Sequence, residues 1–143
     1  MPILAGQIVT AGQLNRIQPK KAGAVGSGTV VGPQSNADVP SATVTMVTET
    51  AAKYVVWCVW DVNVTSSSSG TWLGRMALDG VNQSPLATMN HPATPGRGQP
   101  VQMYTGTLTS AGSHTFKLVA SPLSGQTVQG VNCSIVVEIT EIV

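Results

Sequence analysis

The sequence predicts an all-β fold: an antiparallel β-sandwich of jelly-roll type, preceded by an extended N-terminal arm that carries one short helix. Only 9% of the 143 residues are charged. Valine is the dominant aliphatic residue and glycine, proline, serine and threonine are abundant, a balance that favours strands and turns over exposed helices. In addition, about seven or eight segments with period-2 alternation follow one another at near-regular spacing, as in a sandwich.

The chain divides into three regions by composition. We expect an arm (1–25), a Gly/Pro/Ser-rich connector (26–41) and a β body (42–143). The first 37 residues contain no acidic residue and three cations: Arg16, Lys20 and Lys21. Because the rest of the chain has four basic and six acidic residues, the arm is suited to an acidic protein surface. Three cations are too few for a nucleic-acid interface, so we expect no nucleic-acid partner.

The arm contains a helix-start signal. Thr10 and Gln13 have the spacing of a capping box, and Leu14 and Ile17 follow on one side before a proline, which predicts a helix over about 11–18. A helix of two turns is not stable alone, so its apolar side needs a partner surface. That surface belongs to another subunit or, in the alternative interpretation, to the arm's own domain.

The longest predicted strand covers 53–64, after a shorter one at 41–47. In the shorter strand, Ala42, Val44 and Met46 share one face. In the longer strand one face is wholly apolar: Tyr54, Val56, Cys58, Trp60, Val62 and Val64. Its other face begins with Val55, Trp57 and Val59, before Asp61 and Asn63 make it polar. A strand that is apolar on both faces is central in its sheet or is covered by a neighbouring subunit.

Two hairpins and one long loop are predicted beyond 65. Asp79-Gly80 is a strong turn signal, so 71–78 should pair with about 81–84, with Trp72, Met76 and Leu78 facing inward and Arg75 outward. The proline-rich segment 84–100 is expected to be a long surface loop. Strands 101–108 and 113–120 are expected to form a second hairpin through the turn 109–112, with His114 and Phe116 inward, and a last strand lies within 131–143.

The two cysteines, Cys58 and Cys133, lie in apolar runs and are expected to be free thiols in the core. A cross-strand disulfide is the alternative, although nothing in the sequence indicates an oxidising compartment. No signal peptide is evident, since the first basic residue follows the apolar ones. No segment reaches the roughly 20 apolar residues of a membrane helix, so no membrane partner is expected.

No catalytic motif is apparent. Ser113, His114 and Asp61 could be assembled into a triad on paper, but adjacent residues of a strand face opposite ways. Glu138 and Glu141 likewise point to opposite faces and cannot act as a pair. Two cysteines and two distant histidines do not make a metal motif. We therefore expect no enzymatic activity, no metal and no cofactor.

Three residues are candidates for binding at the surface: Trp57, His91 and Arg97. Of the three tryptophans, Trp60 and Trp72 fall on predicted core faces, which leaves Trp57. A single tryptophan on the second face of a central strand is more often covered by a subunit interface than used as a platform for sugar rings. His91 and Arg97 lie in the predicted loop.

Several segments together resemble small virion structural proteins of tailed bacteriophages of actinobacteria, the minor tail proteins, head fibres and capsid decoration proteins. They are "LAGQIVTAGQLNRIQP", "AAKYVVWCVWDV", "GRMALDG", "YTGTLTSAGSHTFKLVAS" and "VVEITEIV". The similarity spans most of the chain and concerns the character of these segments and their order. It implies a non-enzymatic subunit whose arm attaches to the particle and whose β body projects outward, often as a trimer.

The resemblance implies a virion location, with assembly in the cytoplasm of the bacterial host. The expected partners are the major capsid or tail protein and further copies of the chain. The residues expected to anchor the arm are the apolar Ile3, Leu4, Ile8, Leu14 and Ile17 with the basic Arg16, Lys20 and Lys21. The alternative function is a receptor- or glycan-binding module at a fibre tip, with a host-surface glycan as partner.

Overall fold

The structure, a computed structural model, describes residues 8–65, 70–91 and 96–143. In these residues an α-helix, thirteen strands and a 3-10 helix follow one another along the chain. In order they are α1 (Ala11–Ile17), β1 (Lys20–Val25), β2 (Thr29–Val31), β3 (Ala37–Thr48), β4 (Ala52–Val59), β5 (Val62–Val64), β6 (Gly70–Leu78), β7 (Val81–Asn82), β8 (Ala87–His91), β9 (Gly96–Gly98), β10 (Val101–Leu108), β11 (Gly112–Ser121), β12 (Gln126–Gln129), the 3-10 helix (Gly130–Asn132) and β13 (Ser134–Glu141).

The strands form two packed main sheets and a smaller one, all antiparallel. The first sheet has the order β1-β13-β4-β10, and the second has β3-β11-β6, with β7 and β8 both paired to β6. Without the two-residue β7, these two sheets contain eight strands: β1, β3, β4, β6, β8, β10, β11 and β13. If these are renumbered 1 to 8 in chain order, the first sheet has the order 1-8-3-6 and the second has 2-7-4-5. This is the double Greek-key order of a jelly roll, so the predicted fold class is confirmed. The end sheet has the order β2-β12-β5-β9.

The alternation predicted for 53–64 holds, but the segment is divided between two sheets. Tyr54, Val56, Cys58, Trp60, Val62 and Val64 are all buried. Residues 52–59 form β4 in the middle of the first sheet, whereas 62–64 form β5 in the end sheet. The chain changes sheets at Trp60-Asp61, where the Trp60 amide donates to the Pro100 carbonyl at 3.0 Å.

The core lies between the two main sheets and is centred on aromatic side chains. Trp60 and Trp72 are fully buried and meet edge to face, with ring centroids 5.7 Å apart. Tyr54 and Phe116 make a second edge-to-face pair at 5.6 Å. Such pairs contribute about 0.5–1.5 kcal/mol beyond the burial of their area. The core positions predicted for Trp60, Trp72 and Phe116 are therefore confirmed.

The first predicted hairpin is confirmed and the second is wrong. Asp79 and Gly80 form the turn between β6 and β7 with φ of 50° and 82°, in the left-handed region that such two-residue turns require. By contrast, β10 pairs with β4 in the first sheet, and β11 pairs with β3 and β6 in the second. The turn at 109–111 therefore crosses between sheets. Period-2 alternation specifies a strand but not the sheet to which it belongs.

Two segments predicted to lack regular structure contain strands. The predicted loop 84–100 contains β8, which pairs with β6, and β9, which pairs with β5. The predicted connector 26–41 contains β2 and the beginning of β3, a strand of 12 residues. Of the described prolines, Pro33, Pro85 and Pro100 lie between strands and Pro40 lies near the start of β3, where the missing N–H does least harm.

The predicted arm helix is confirmed. Thr10 is its N-cap: the Gln13 amide donates to Thr10 Oγ1 at 3.2 Å, and the Thr10 amide donates to Gln13 Oε1 at 2.9 Å. This capping box contributes about 1 kcal/mol to the helix. After the helix, β1 pairs along β13 at the edge of the first sheet. Because α1 also contacts β13, the arm from Ala11 onward lies on its own domain, as in the alternative interpretation.

Candidate functional site

The outward-facing side of the first sheet carries a continuous set of apolar side chains, which we call the apolar outer face. It consists of Val25, Val55, Trp57, Val59, Val101, Met103 and Val136. Strand register places Met103, Trp57 and Val136 in one row across three strands. The next row is Val101, Val59, Ser134 and Val25, so one serine lies among the valines. Val101 is 66% exposed and Met103 52% exposed. Contiguous apolar surface of this kind is typical of sites of protein association.

The outward-facing side of the second sheet is more polar. Its exposed or half-buried side chains include Thr43, Thr45, Ser113, Thr115 and Lys117. Across it, Lys117 Nζ lies 2.8 Å from a carboxylate oxygen of Asp38. One valine, Val47, is exposed there to 65%. The two faces of one sandwich therefore differ in chemistry, as expected if one of them is solvated and the other is covered.

Trp57 lies at the centre of the apolar outer face and is 39% exposed. The Lys21 ammonium lies 5.7 Å from the centroid of its ring, a cation–π distance, and is also paired with Glu138 at 2.8 Å. This ion pair forms one border of the face. The structure thus places Lys21, which was expected to contact the particle, beside Trp57 on the sheet itself.

The other two cations of the arm also have carboxylate partners within the chain. Arg16 lies 3.6 Å from Glu49, and Lys20 Nζ donates to Glu141 Oε1 at 2.7 Å. Burial alone would raise the pKa of Glu141, but hydrogen bonds from Lys20, the Glu49 backbone and Thr50 outweigh it and hold that pKa below its ordinary value. The basic charge of the arm is therefore balanced by its own domain.

The apolar anchors predicted for the arm are distributed unevenly. Ile8 is 88% exposed and Leu14 50% exposed, whereas Ile17 is half-buried. Ile3 and Leu4 lie outside the described residues. Leu14 on the helix and Ile8 ahead of it are therefore exposed, and the anchoring role of these residues stays a prediction.

Arg97, predicted as a binding residue at the surface, forms an ion pair with the buried Asp61. Its Nε donates to Asp61 Oδ1 at 2.7 Å and its Nη2 to Oδ2, while Asn132 Nδ2 donates to Oδ2 at 2.6 Å. The hydrogen bond from Arg97 lowers the pKa of Asp61, burial opposes it, and Asn132 lowers it further. Asp61 is fully buried, and this group joins β9, the 3-10 helix and the break between β4 and β5.

Sequence reasoning missed this group because its members are far apart along the chain. In the sequence Asp61 belongs to the polar end of a strand face, and nothing in the spacing of Asp61, Arg97 and Asn132 links them. His91, the remaining predicted surface residue, is at the end of β8 opposite Gly70, well separated in the strand order from Trp57. The three predicted binding residues therefore do not form a common site.

His114 is buried, as predicted, and both ring nitrogens face acceptors. Nδ1 lies 2.8 Å from Asp79 Oδ2, and Nε2 lies 3.2 Å from the Ser110 carbonyl. The hydrogen bond with Asp79 raises the pKa of His114, burial opposes it, and the Ser110 carbonyl raises it further. Only the doubly protonated ring can donate to both acceptors.

We expect this histidine to make stability depend on pH. A raised folded-state pKa gives stabilisation that is fully present below about pH 6.5, the unfolded value, and is lost as the pH rises through the folded value. Urea titrations between pH 5.5 and 8.5 should show this decline in the free energy of unfolding. Asp79→Asn keeps a residue that tolerates the turn but removes the carboxylate, so its profile should be flatter. An equal slope in both proteins would contradict the assignment.

The two cysteines are buried and free, as predicted. Burial raises the pKa of both thiols, that of Cys133 to about 11, so both stay protonated at neutral pH. Among residues 8–65, 70–91 and 96–143, no three His, Cys, Asp or Glu side chains are placed to hold a metal ion. Nor does the described part of the chain include a helix long and apolar enough to span a membrane.

The candidate site is therefore an apolar surface with a charged border on one sheet of the sandwich, a kind of surface that is typical of protein association. A comparison with protein-family models finds none that matches the chain. A comparison with curated proteins finds no significant match either.

Proposed function

We propose that this chain is a non-enzymatic structural subunit of a bacteriophage particle, a capsid decoration, head-fibre or minor tail protein. In this proposal its jelly-roll bodies associate with one another through the apolar outer face. The observation that carries the association is the contrast between that face, with Trp57 and Met103 at its centre, and the threonine-rich outer side of the second sheet. The resemblance to virion proteins supports the assignment to a phage particle and favours a trimer.

The geometry of the face supports association between rigid bodies. Trp57 is held by β4, which has a neighbour on each side, and Met103 extends from the adjacent β10. An aromatic side chain with fixed backbone loses little conformational entropy on being covered, and such residues are enriched in interface centres. The Lys21–Glu138 pair then lies at the rim, where charges affect specificity more than affinity.

A pair of matched variants tests the proposal. Val101 and Val47 are exposed to 66% and 65%, on opposite sides of the sandwich. We expect Val101→Lys to raise the dissociation constant of the self-associated protein by at least about tenfold, because a charge would be buried in the contact. Val47→Lys should leave it unchanged. Sedimentation equilibrium of the full chain measures both, with circular dichroism to verify the fold.

The particle is tested with the same two variants. In virions of the phage that encodes the chain, mass spectrometry should detect the wild-type protein and Val47→Lys at similar copy number. Val101→Lys should be incorporated at lower copy number. Absence of the wild-type chain from purified virions would contradict its assignment as a virion subunit. Equal self-association of all three proteins would contradict the assignment of the apolar outer face as the contact.

A receptor- or glycan-binding module is the second candidate, favoured by the partly exposed ring of Trp57. Sugar hydroxyls need free polar groups near the ring. The Lys21 ammonium already lies beside the Trp57 ring, and Arg97 is paired with Asp61, so fewer polar groups are free to bind a glycan. Glycan binding that is abolished by Trp57→Ala, with the self-association intact, would favour this candidate over the first.

A further inference from the structure

Strand β10 lies at an edge of the first sheet, and no described strand pairs with its outer side. Among the described residues, its only strand partner is β4, to which it is paired along its full length from Val101 to Leu108. Its eight residues, VQMYTGTL, include no charge and no proline. A regular, uncharged edge of this length presents backbone N–H and C=O groups that can pair with another strand.

Backbone pairing shows which groups of β10 point away from β4. The Trp60 amide donates to the Pro100 carbonyl, which makes this an inward, hydrogen-bonded position. Because such positions alternate in an antiparallel pair, the next residue and every second one after it turn their N–H and C=O outward. The outward set is Val101, Met103, Thr105 and Thr107. In agreement, the Met103 carbonyl accepts a hydrogen bond from the side-chain amide of Gln102, at 2.9 Å.

The other edges of the two main sheets carry features that oppose pairing. Strand β1 begins with two lysines, and β3 contains Asp38 and Pro40 with a register shift at its contact with β11. Strands β7 and β8 are two and five residues long. Charge, proline, irregularity and shortness are the usual means by which sheet edges are protected. Strand β10 has none of them.

We propose that β10 pairs antiparallel with β10 of a second copy of this chain, joining two first sheets into one continuous eight-stranded sheet. This inference rests on the proposed function, since it adds an edge-to-edge contact to the proposed association of the bodies. The occupant is a second copy because β10 brings no charge to the pair, so its own copy meets no repulsion. The same pairing also places the two apolar outer faces side by side, with Met103 of both copies near the junction.

The pairing has a defined symmetry. Strand self-pairing with both outer faces on the same side requires a two-fold axis perpendicular to the sheet, which is an isologous contact. In that arrangement, odd-numbered residues of β10 lie opposite odd-numbered ones and even-numbered residues opposite even-numbered ones. The inward-facing Tyr104 and Leu108 therefore stay in the cores of their own copies. A three-fold assembly would need a head-to-tail contact instead. The mass of the smallest associated species therefore distinguishes this inference from the trimer that the resemblance favours.

Amide hydrogen exchange followed by NMR tests the inference on the wild-type chain. In a free edge, the outward amides of Met103, Thr105 and Thr107 exchange rapidly while the inward amides of Gln102, Tyr104 and Gly106 are protected. In the paired dimer both sets are protected, and the outward set loses protection on dilution. Outward amides that exchange rapidly at every concentration would overturn the inference.

A proline variant provides the second test. Thr105→Pro removes one outward N–H and leaves the pairing with β4 intact, since proline is tolerated at an edge when its nitrogen faces solvent. We expect the dissociation constant of the dimer to rise by about 10- to 100-fold, because two hydrogen bonds are lost across the two-fold axis. If the proline disturbs the fold, Thr105→Lys adds a charge at the same position.

The outcomes separate this inference from the proposed function. A dimer weakened by Thr105→Pro and by Val101→Lys supports strand pairing, because both residues lie on β10, and weakening by Trp57→Ala as well supports the apolar outer face. An oligomer weakened by Val101→Lys but not by the Thr105 variants would overturn strand pairing and leave the apolar outer face as the contact. A wild-type chain that stays monomeric at high micromolar concentration would overturn the pairing whatever the variants do.

Discussion

Truncation of Trp60 to alanine is expected to destabilise the protein by about 3–5 kcal/mol, the range for a large aromatic side chain removed from a packed core. Trp60 is fully buried and meets the ring of Trp72 edge to face. A Cβ added at Gly74 would overlap the Trp72 ring, so the space around the pair is filled. Among the described residues the Trp60 Nε1 has no hydrogen-bond partner, and the loss is therefore one of apolar contact alone.

Trp57 supplies the control for this substitution, because it lies three residues earlier and is 39% exposed. Trp57→Ala should cost well under half as much in the free energy of unfolding of the monomer. It should, however, weaken self-association, if the apolar outer face is the contact. Guanidinium titrations followed by circular dichroism measure the first effect and sedimentation the second. Equal destabilisation by the two alanines would contradict the assignment of one tryptophan to the core and the other to the surface.

Arg97→Ala is expected to destabilise the protein at pH 7 by clearly more than the roughly 0.5 kcal/mol of an ordinary surface substitution. The reason lies in its partner. Asp61 is fully buried, and among the described residues its carboxylate would keep only the side-chain bond from Asn132 once the guanidinium is removed. A buried charge without its counter-ion is costly even when the residue removed is itself partly exposed.

A double-mutant cycle identifies the cause of that loss. Asp61→Asn removes the charge that needs Arg97, so the double variant should be more stable than Arg97→Ala alone. Because the pKa of Asp61 is lowered in the folded state, the stabilisation is present above about pH 4 and is lost as the pH falls through the folded value. The penalty of Arg97→Ala should therefore shrink in acid. A penalty independent of pH and of Asp61 would indicate that Arg97 acts through packing.

Local patterns in the sequence predicted what depends on local physics. The capping box of Thr10 and Gln13, the Asp79-Gly80 turn and the alternating burial of 54–64 all follow from residues close together in the chain. Burial of His114 followed from the parity of its strand. In each case the side chain and the backbone that it affects lie within a few residues, so propensity and periodicity are sufficient.

Features that depend on the assembly of distant strands were not predictable in the same way. Nothing near 109–112 indicates that the chain changes sheets there. The change depends on whether β10 pairs with β4 or with β11, and β4 is distant in the sequence. The binding role proposed for Arg97 had the same weakness, since Asp61 lies 36 positions away. The apolar outer face was visible in Trp57 and its neighbours, whereas the contribution of Val101 and Met103 required the register of β10.

The position of β13 has a consequence for the order in which the protein can form. This strand lies between β1 and β4 in the first sheet, yet it is synthesised after every other strand of the two main sheets. Until β13 is made, β1 lacks its partner among the described strands. The core side of the first sheet also lacks the buried Ile135, Val137 and Ile139 next to β4. The sheet can close only after translation has passed residue 141, and such non-local pairing is slow to form. Until then the first sheet holds only the β4–β10 pair, so it is completed later than the second sheet, whose strands all precede β13 in the chain.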